Sequence, residues 1–416
     1  MLVHGEKMNE KNIVVIGTLD TKGDQILFLK HRIEELGHNA VVIDLSMRGK
    51  SSFEASITPK EIALAGGSSI DKLRASSDRP AITKIMEAGA TEIIKQLCSS
   101  SKINGIIALG GISMALMGSH IMKVVPFGIP KVIICPAAMP AYVTQFFDAM
   151  DIAIMQSIVE LTGLNELVKD MIQRAAGSIC GMVNEVTSAD LLGSSKKCVA
   201  ITQLGFCENC AKSVRKGLEE KGYTVYPFHA QGISDRAMDS LIEQGHFDGV
   251  IDIAPAGVIE EIFDGNRAAG PERLDAPIER GIPLVLAPST INITGAGPTR
   301  RHSEKYASRK RILKTDSLRA GTRYNVDELE IGARAYAEKL NKAKGPVSFL
   351  FPLRGWSSID KPGTVLYDPA EDKVFFDELR KNIETNIDIE EVDCNLDEDQ
   401  FALALIEKFD VLYKSI

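Results

Sequence analysis

Along most of the chain, short β-branched apolar runs alternate with stretches of helical period. Ile13-Val14-Val15-Ile16 stops at Gly17, and Ile26, Leu27, Leu29, Ile33 and Leu36 then repeat at a helix spacing. A run that ends at glycine and opens a helix is the first half of a βαβ unit. Further runs at 40–44, 105–109 and 131–134 predict strands. Helices are predicted to open at Pro59, with Thr58 as N-cap, and at Asp78-Arg79-Pro80, the latter running to about Leu97. Another is predicted over about Ser157–Ala176, after a section rich in aromatic and methionine residues (Tyr142, Phe146, Phe147, Met150, Met155) suited to core packing, an apolar pocket or a subunit contact. Alternation of this kind predicts a mostly parallel sheet with right-handed crossovers.

The small, polar stretch 185–197 interrupts the pattern, which then restarts. Strands are predicted at 198–202, 224–228, 249–253, 283–287, 347–351 and 387–392, with helices between them and a last helix over about 398–412. The expected architecture is therefore α/β, with two Rossmann-like domains, each an open mostly parallel sheet flanked by helices. Their expected bounds are 1–185 and 186–416. The segment 288–322 carries no strand pattern and reads as a long loop, of the length that is usually functional. It concentrates Arg300, Arg301, His302, Lys305, Arg309, Lys310, Arg311 and Arg319, which suits either a solvated arm or subunit tie or a lid that brings cations to an anionic ligand.

Composition narrows the function. The 416 residues carry a net charge of −8, with 44% hydrophobic and 25% charged residues, so a general nucleic-acid or membrane-surface binder is not expected. No apolar stretch of about 18 residues is present, and no apolar signal core precedes the first strand, which gives a cytoplasmic expectation. Seven cysteines spread over the chain fit reduced thiols better than a disulfide framework. Cys207-Glu208-Asn209-Cys210 has redox spacing, but without a second pair it does not make a zinc site. No metal site is expected.

Chemistry is expected where strands end. Gly17-Thr18-Leu19-Asp20-Thr21-Lys22-Gly23 places two hydroxyls, a carboxylate and an ammonium at a helix start, where free N–H groups suit an anion. Asp44 ends the second strand, within reach of a ribose hydroxyl. In the second half, His229 at a strand end is a candidate acid or base, with Asp252 on the expected neighbouring strand to orient it. Arg354, in Pro352-Leu353-Arg354-Gly355-Trp356, is a candidate carboxylate or phosphate clamp, and Trp356 a candidate cover for a ligand.

Several of these stretches occur together in one family. The Gly17–Gly23 motif resembles the opening of the ATP-binding-domain family that includes the tomato mosaic virus resistance protein. Asp78-Arg79, Leu109-Gly110-Gly111, Gly163-Leu164-Asn165, Phe228-His229-Ala230, Phe247-Asp248-Gly249-Val250, Gly270-Pro271-Glu272-Arg273-Leu274 and Pro352-Leu353-Arg354-Gly355 follow in the same order. The likeness covers nearly the whole chain. It implies ATP bound in the first domain by Thr18, Asp20, Thr21, Lys22, Gly110 and Gly111, with Mg²⁺ or a hydroxyl at Asp20, and a homodimer. Three stretches depart from the family pattern toward apolar residues: Ile112-Ser113-Met114-Ala115, Cys135-Pro136-Ala137-Ala138 and Asp148-Ala149-Met150. Each lost hydroxyl removes a hydrogen bond worth about 1 kcal/mol, so weak ATP binding or a smaller, less charged ligand is expected.

Three functions are compatible with this pattern: a nucleotide-binding protein; an enzyme acting on a sugar acid, keto acid or phosphate in a cleft between the domains, through His229, Arg354 and the arginines of 300–319; and a regulatory binding module without turnover.

Overall fold

A computed structural model describes residues 10–136, 146–185 and 197–416. The chain divides into two compact units, Met1–Leu191 and Leu192–Ile416, whose junction falls in the stretch 186–196, outside the described residues.

The first unit is built on a five-stranded sheet of β1 (Asn12–Gly17), β2 (Asn39–Asp44), β3 (Gly105–Leu109), β4 (Lys131–Cys135) and β5 (Ile152–Gln156). Its order is β2-β1-β3-β4-β5, and every pair is parallel. The continuous apolar runs are explained by burial on both faces. Ile13 and Val15 pack with Leu29, Ile33 and Ile172 on one side, while Val14 and Ile16 pack with Ile62, Met86 and Ile94 on the other. Helices Leu19–Glu35 and Glu166–Glu185 cover the first face; helices Pro59–Ala65, Arg79–Ser99 and Ile112–Met122 cover the second. The Thr58 cap is a reciprocal box with Glu61, and Asp78 caps the long helix through Ala81 N (3.1 Å).

One predicted helix is displaced. Residues 152–156 form strand β5, and the helix expected from Ser157 begins only at Glu166. Gly163 takes a φ of +68°, which breaks a helix, and the side chain of Asn165 accepts from Val168 N (3.0 Å), which starts the new one. In the aromatic section, Phe146 is fully buried and Phe147 is exposed, while Tyr142 lies outside the described residues.

The second unit has a six-stranded parallel sheet of β6 (Cys198–Gln203), β7 (Thr224–His229), β8 (Gly249–Asp252), β9 (Leu284–Leu286), β13 (Val347–Pro352) and β14 (Asp388–Val392), in the order β14-β13-β9-β8-β6-β7. Both faces are again covered, one by helices including Val326–Leu340 and Pro369–Asn382, the other by Glu208–Glu220 and Asp399–Tyr413.

The segment 288–322 is not a plain loop. It holds β10 (Ile293–Gly295), β11 (Ile312–Lys314) and β12 (Ala320–Arg323), which make a separate antiparallel sheet in the order β10-β12-β11. Strands of three or four residues carrying glycine and charge leave no alternation to read. Among the described residues, no helix is long and apolar enough to cross a membrane.

Candidate functional site

The order of the first sheet defines a topological switch point between β1 and β3, since the chain winds to β2 on one side and to β3 on the other. Open α/β sheets bind ligands outside the carboxyl ends of the strands at such a point, and this order is one the rule covers. A cavity of about 410 Å³ lies there. The segments following all five strands line it, through Leu45, Thr18, Gly111, Pro136 and Glu160.

The Gly17–Gly23 motif supplies Thr18, Thr21 and Lys22 to this cavity, but its helix start is not free. Leu19 N donates to Asp44 Oδ1 (3.0 Å) and Asp20 N donates to Ser46 Oγ (3.0 Å). Thr21 N and Lys22 N close back on Thr18 O. Asp44, expected to face a ribose, is instead fully buried and accepts from Leu19 N, Ser46 N (2.9 Å), Ser46 Oγ and Ser51 Oγ (2.6 Å). Asp20, expected to hold Mg²⁺ or a hydroxyl, accepts from Arg48 N (3.0 Å) and does not line the cavity. Gly23 is required because a Cβ there would run into the Ser52 side chain of the same wrapping loop.

What remains open is the second helix start. Gly111 is the N-cap of helix Ile112–Met122, and no side chain caps it. Gly111, Ile112, Ser113 and Met114 line the cavity, so N–H groups with no partner among the described residues stand beside Lys22, with the positive end of the helix dipole. Gly110 lies one residue behind and donates to Ile134 O (3.3 Å). Lys22 Nζ donates to Leu161 O (2.7 Å) and Thr162 Oγ1 (3.1 Å), both neutral, so its charge is not cancelled by a carboxylate among the described residues. Thr18 and Thr21 share a hydrogen bond of 2.7 Å. Leu45, Met114 and Met117 give the cavity an apolar wall. Glu160 is the carboxylate of the lining, and sequence patterning missed it because it lies in the stretch read as helix. Of the apolar departures from the family pattern, Ile112, Met114 and Pro136 do line the cavity, whereas Asp148 pairs with Lys123 (2.5 Å), and Ala137 and Ala138 lie outside the described residues.

The three candidates of the second unit do not form one site. The sheet order sets β6 between β7 and β8, so His229 and Asp252 are not on neighbouring strands. Arg354 follows β13, four strand positions from β7, or roughly 19 Å at the usual spacing. It makes an exposed bidentate pair with Asp393 (2.9 Å for both bonds). Trp356 is a buried anchor packed on Phe351 and Phe375. Cys207 and Cys210 are buried, which pushes the Cys207 thiol up to about 11 and the Cys210 thiol well above the ordinary thiol range, the reverse of a reactive pair. Most of the basic stretch is paired: Arg301 with Asp264, Arg309 with Glu328, Arg311 with Asp368 and Glu371, and Arg319 with Asp316.

Asp252 belongs to a buried cluster. Together with Asp235 and Asp239 it surrounds Arg273, and it also accepts from Thr202 Oγ1 (2.6 Å). Burial raises the Asp239 carboxyl to about 7, with Arg273 opposing and the other two carboxylates reinforcing the shift. The folded value lies above the unfolded one, so the stability from neutral Asp239 is complete below about pH 4 and is lost as pH rises through about 7. Asp239→Asn is therefore expected to gain on the wild type by about 1–3 kcal/mol between pH 5 and pH 8 in urea unfolding. Equal pH slopes for the two proteins would refute this.

The chain matches two family models, described as the N-terminal domain of an uncharacterised protein family (UPF0261) over residues 11–188 and the C-terminal domain of the same family over 196–413. A UPF0261 protein of Clostridium tetani is 34% identical over 402 residues, covering 96% of this chain and 98% of that one. One from Brucella suis is 28% identical, covering 97% and 96%. The ToMV resistance protein Tm-1(GCR237) of Solanum lycopersicum is 27% identical over 96% of this chain, which spans 56% of the tomato protein. Among solved structures, NAD⁺-bound 3-phosphoglycerate dehydrogenase of Entamoeba histolytica is matched over 97% of this chain and 95% of that one. At 11% identity and a TM-score of 0.21, that likeness carries no weight for fold or ligand. With both domain models matched in order and the C. tetani protein aligned almost end to end, the chain belongs to the uncharacterised protein family UPF0261.

Proposed function

We propose that the first unit binds a phosphate-bearing ligand of the nucleotide class, ATP being the first to test, at the mouth of β1 and β3. The observation that carries this reading is the cavity at the switch point, fed by all five strands, where an uncapped helix start faces an ammonium that no carboxylate among the described residues neutralises. Phosphate oxygens would take the N–H groups of Ile112–Met114, the Ser113, Thr18 and Thr21 hydroxyls and Lys22 Nζ. Leu45, Met114 and Met117 would take the apolar face of a base.

The donor set fits phosphates better than it fits a resident metal. Among the described residues, no three acidic, histidine or cysteine side chains converge on a point. Mg²⁺ would arrive with the nucleotide and meet Glu160, since this ion is commonly held by one or two carboxylates plus phosphate oxygens.

The test is calorimetric titration of the full chain with ATP, with and without Mg²⁺. Saturable binding is expected, and Lys22→Ala should weaken it by about 10–100-fold, the value of one charge-assisted hydrogen bond. Asp20→Ala should leave it within a few-fold, because Asp20 turns to Arg48. Absence of heat and of any thermal shift at millimolar ATP would reject the reading.

A further inference from the structure

The second sheet repeats the winding of the first: β7 lies to one side of β6 and β8 to the other, so β6 and β8 flank a switch point of their own. A separate cavity of about 440 Å³ opens at the carboxyl ends of these strands. Leu204 after β6, His229 at the end of β7, Glu260 after β8 and Ile293 after β9 all line it, and the small sheet β10-β12-β11 roofs it through Gly295, Leu313 and Gly321. We infer that this is a second small-molecule site, taking a compact organic anion, a carboxylate or a phosphate ester.

The charge of the lining points to that class. Two guanidiniums line the cavity, Arg267 and Arg319, the latter paired with Asp316 on the exposed turn, and Glu260 is the carboxylate of the lining. Glu260 is fully buried and already answered by Arg267 (3.0 Å) and Arg300 (3.7 Å), which leaves one positive charge in surplus. Burial alone would raise the Glu260 carboxyl, but the two guanidiniums outweigh it and hold it below its ordinary range, so it stays ionised.

Arg267 is fixed rather than free. Its Nη2 donates to Glu260 Oε1, to Thr290 O (3.3 Å) and to Ile293 O, and 10% of its side chain remains open to the cavity. Thr290 provides its carbonyl from a φ of +59°, a conformation a β-branched residue avoids, in the segment between β9 and β10. Gly265 lets the charge pair close, since a Cβ there would collide with Glu260 and Arg300. Strain and buried charge held in place at a strand mouth mark a built site.

The exposed rim carries His229 and Arg319. His229 Nδ1 lies 3.2 Å from Gln203 O, so Nδ1 holds the proton and donates, and Nε2 is left to accept from a hydroxyl of the ligand. Arg319 sits on the turn before β12, held by Asp316 (2.7 Å), and can bring its guanidinium to an anion at the cavity mouth.

This site is independent of the nucleotide reading, and one experiment separates them. The full chain is titrated at constant ionic strength with inorganic phosphate and with malonate, against chloride, and thermal unfolding is followed. At least one probe is expected to give a saturable rise, kept in Lys22→Ala and weakened about tenfold or more in Arg319→Ala/His229→Gln, whose two sites are exposed and remove no core contact. The probe that works tells phosphate from carboxylate. No saturable rise in the wild type, a rise unchanged in the double variant, or one abolished by Lys22→Ala would each overturn the proposal.

Discussion

Arg273→Met is expected to cost about 3–5 kcal/mol at neutral pH, enough to unfold much of the second unit. Arg273 has no exposed surface, and Asp235, Asp239 and Asp252 are each bound to it. The first two are four residues apart on helix Ile233–Glu243, and the third ends β8, so a single guanidinium ties the helix to the sheet. Methionine fills similar volume but leaves three carboxylates buried together without their shared cation, and removing one partner of a buried ionic cluster is far costlier than replacing the whole cluster. The sign of the pH effect follows. Asp235 and Asp239 already lie above their unfolded values through burial, and losing Arg273 raises them further. Stability from their neutral forms is present at low pH and lost as pH rises through the raised values. Arg273→Met should therefore recover part of its loss between pH 8 and pH 5, as read by urea unfolding of the full chain. A variant within about 1 kcal/mol of the wild type at pH 8 would show that the cluster is not what holds this helix.

The parallel strands were legible because burial on both faces demands unbroken apolar runs, as in Ile13–Ile16 and Ile106–Leu109. Short antiparallel strands such as β11 and β12 were not, since three or four residues with glycine and charge set no period. The cavity of the first unit was half legible. Thr18, Thr21, Lys22 and Gly111 could be named because a glycine-bounded strand end fixes where the mouth lies. Which of the polar groups face the cavity and which face the protein depends on the wrapping loop 45–58, whose contacts have no local pattern. In the second unit, His229 lines a cavity at its strand mouth but stands apart from Asp252 and Arg354, because strand order decides neighbours and β6 intervenes. Arg267 and Glu260 went unread: an acid inside Val258-Ile259-Glu260-Glu261-Ile262 looks like one polar position of a short helix, not a buried charge.

The same distinction between groups that face the cavity and groups that face the protein makes Asp44 the residue on which the first cavity depends most. Asp44→Ala is expected to destabilise the first unit by about 3–5 kcal/mol, the loss of one buried acceptor serving four donors. Each donor left behind is buried or half-buried, and Leu19 N opens the helix that carries Thr21 and Lys22. Asp44→Asn is milder, about 1–2 kcal/mol: its oxygen can still accept from Leu19 N and Ser46 N, and the Ser51 hydroxyl can rotate to accept from the new amide. Asp20→Ala, by comparison, loses one bond from Arg48 N at the surface and should cost under about 1 kcal/mol. The ordering Asp44→Ala, then Asp44→Asn, then Asp20→Ala should hold for stability in urea, while Lys22→Ala should weaken ligand binding with almost no change in stability. If Asp20→Ala proved as damaging to the fold as Asp44→Ala, the carboxylate holding the Thr18–Lys22 loop would have been misassigned, and the freedom of Lys22 and the Gly111 helix start to take a ligand would need another cause.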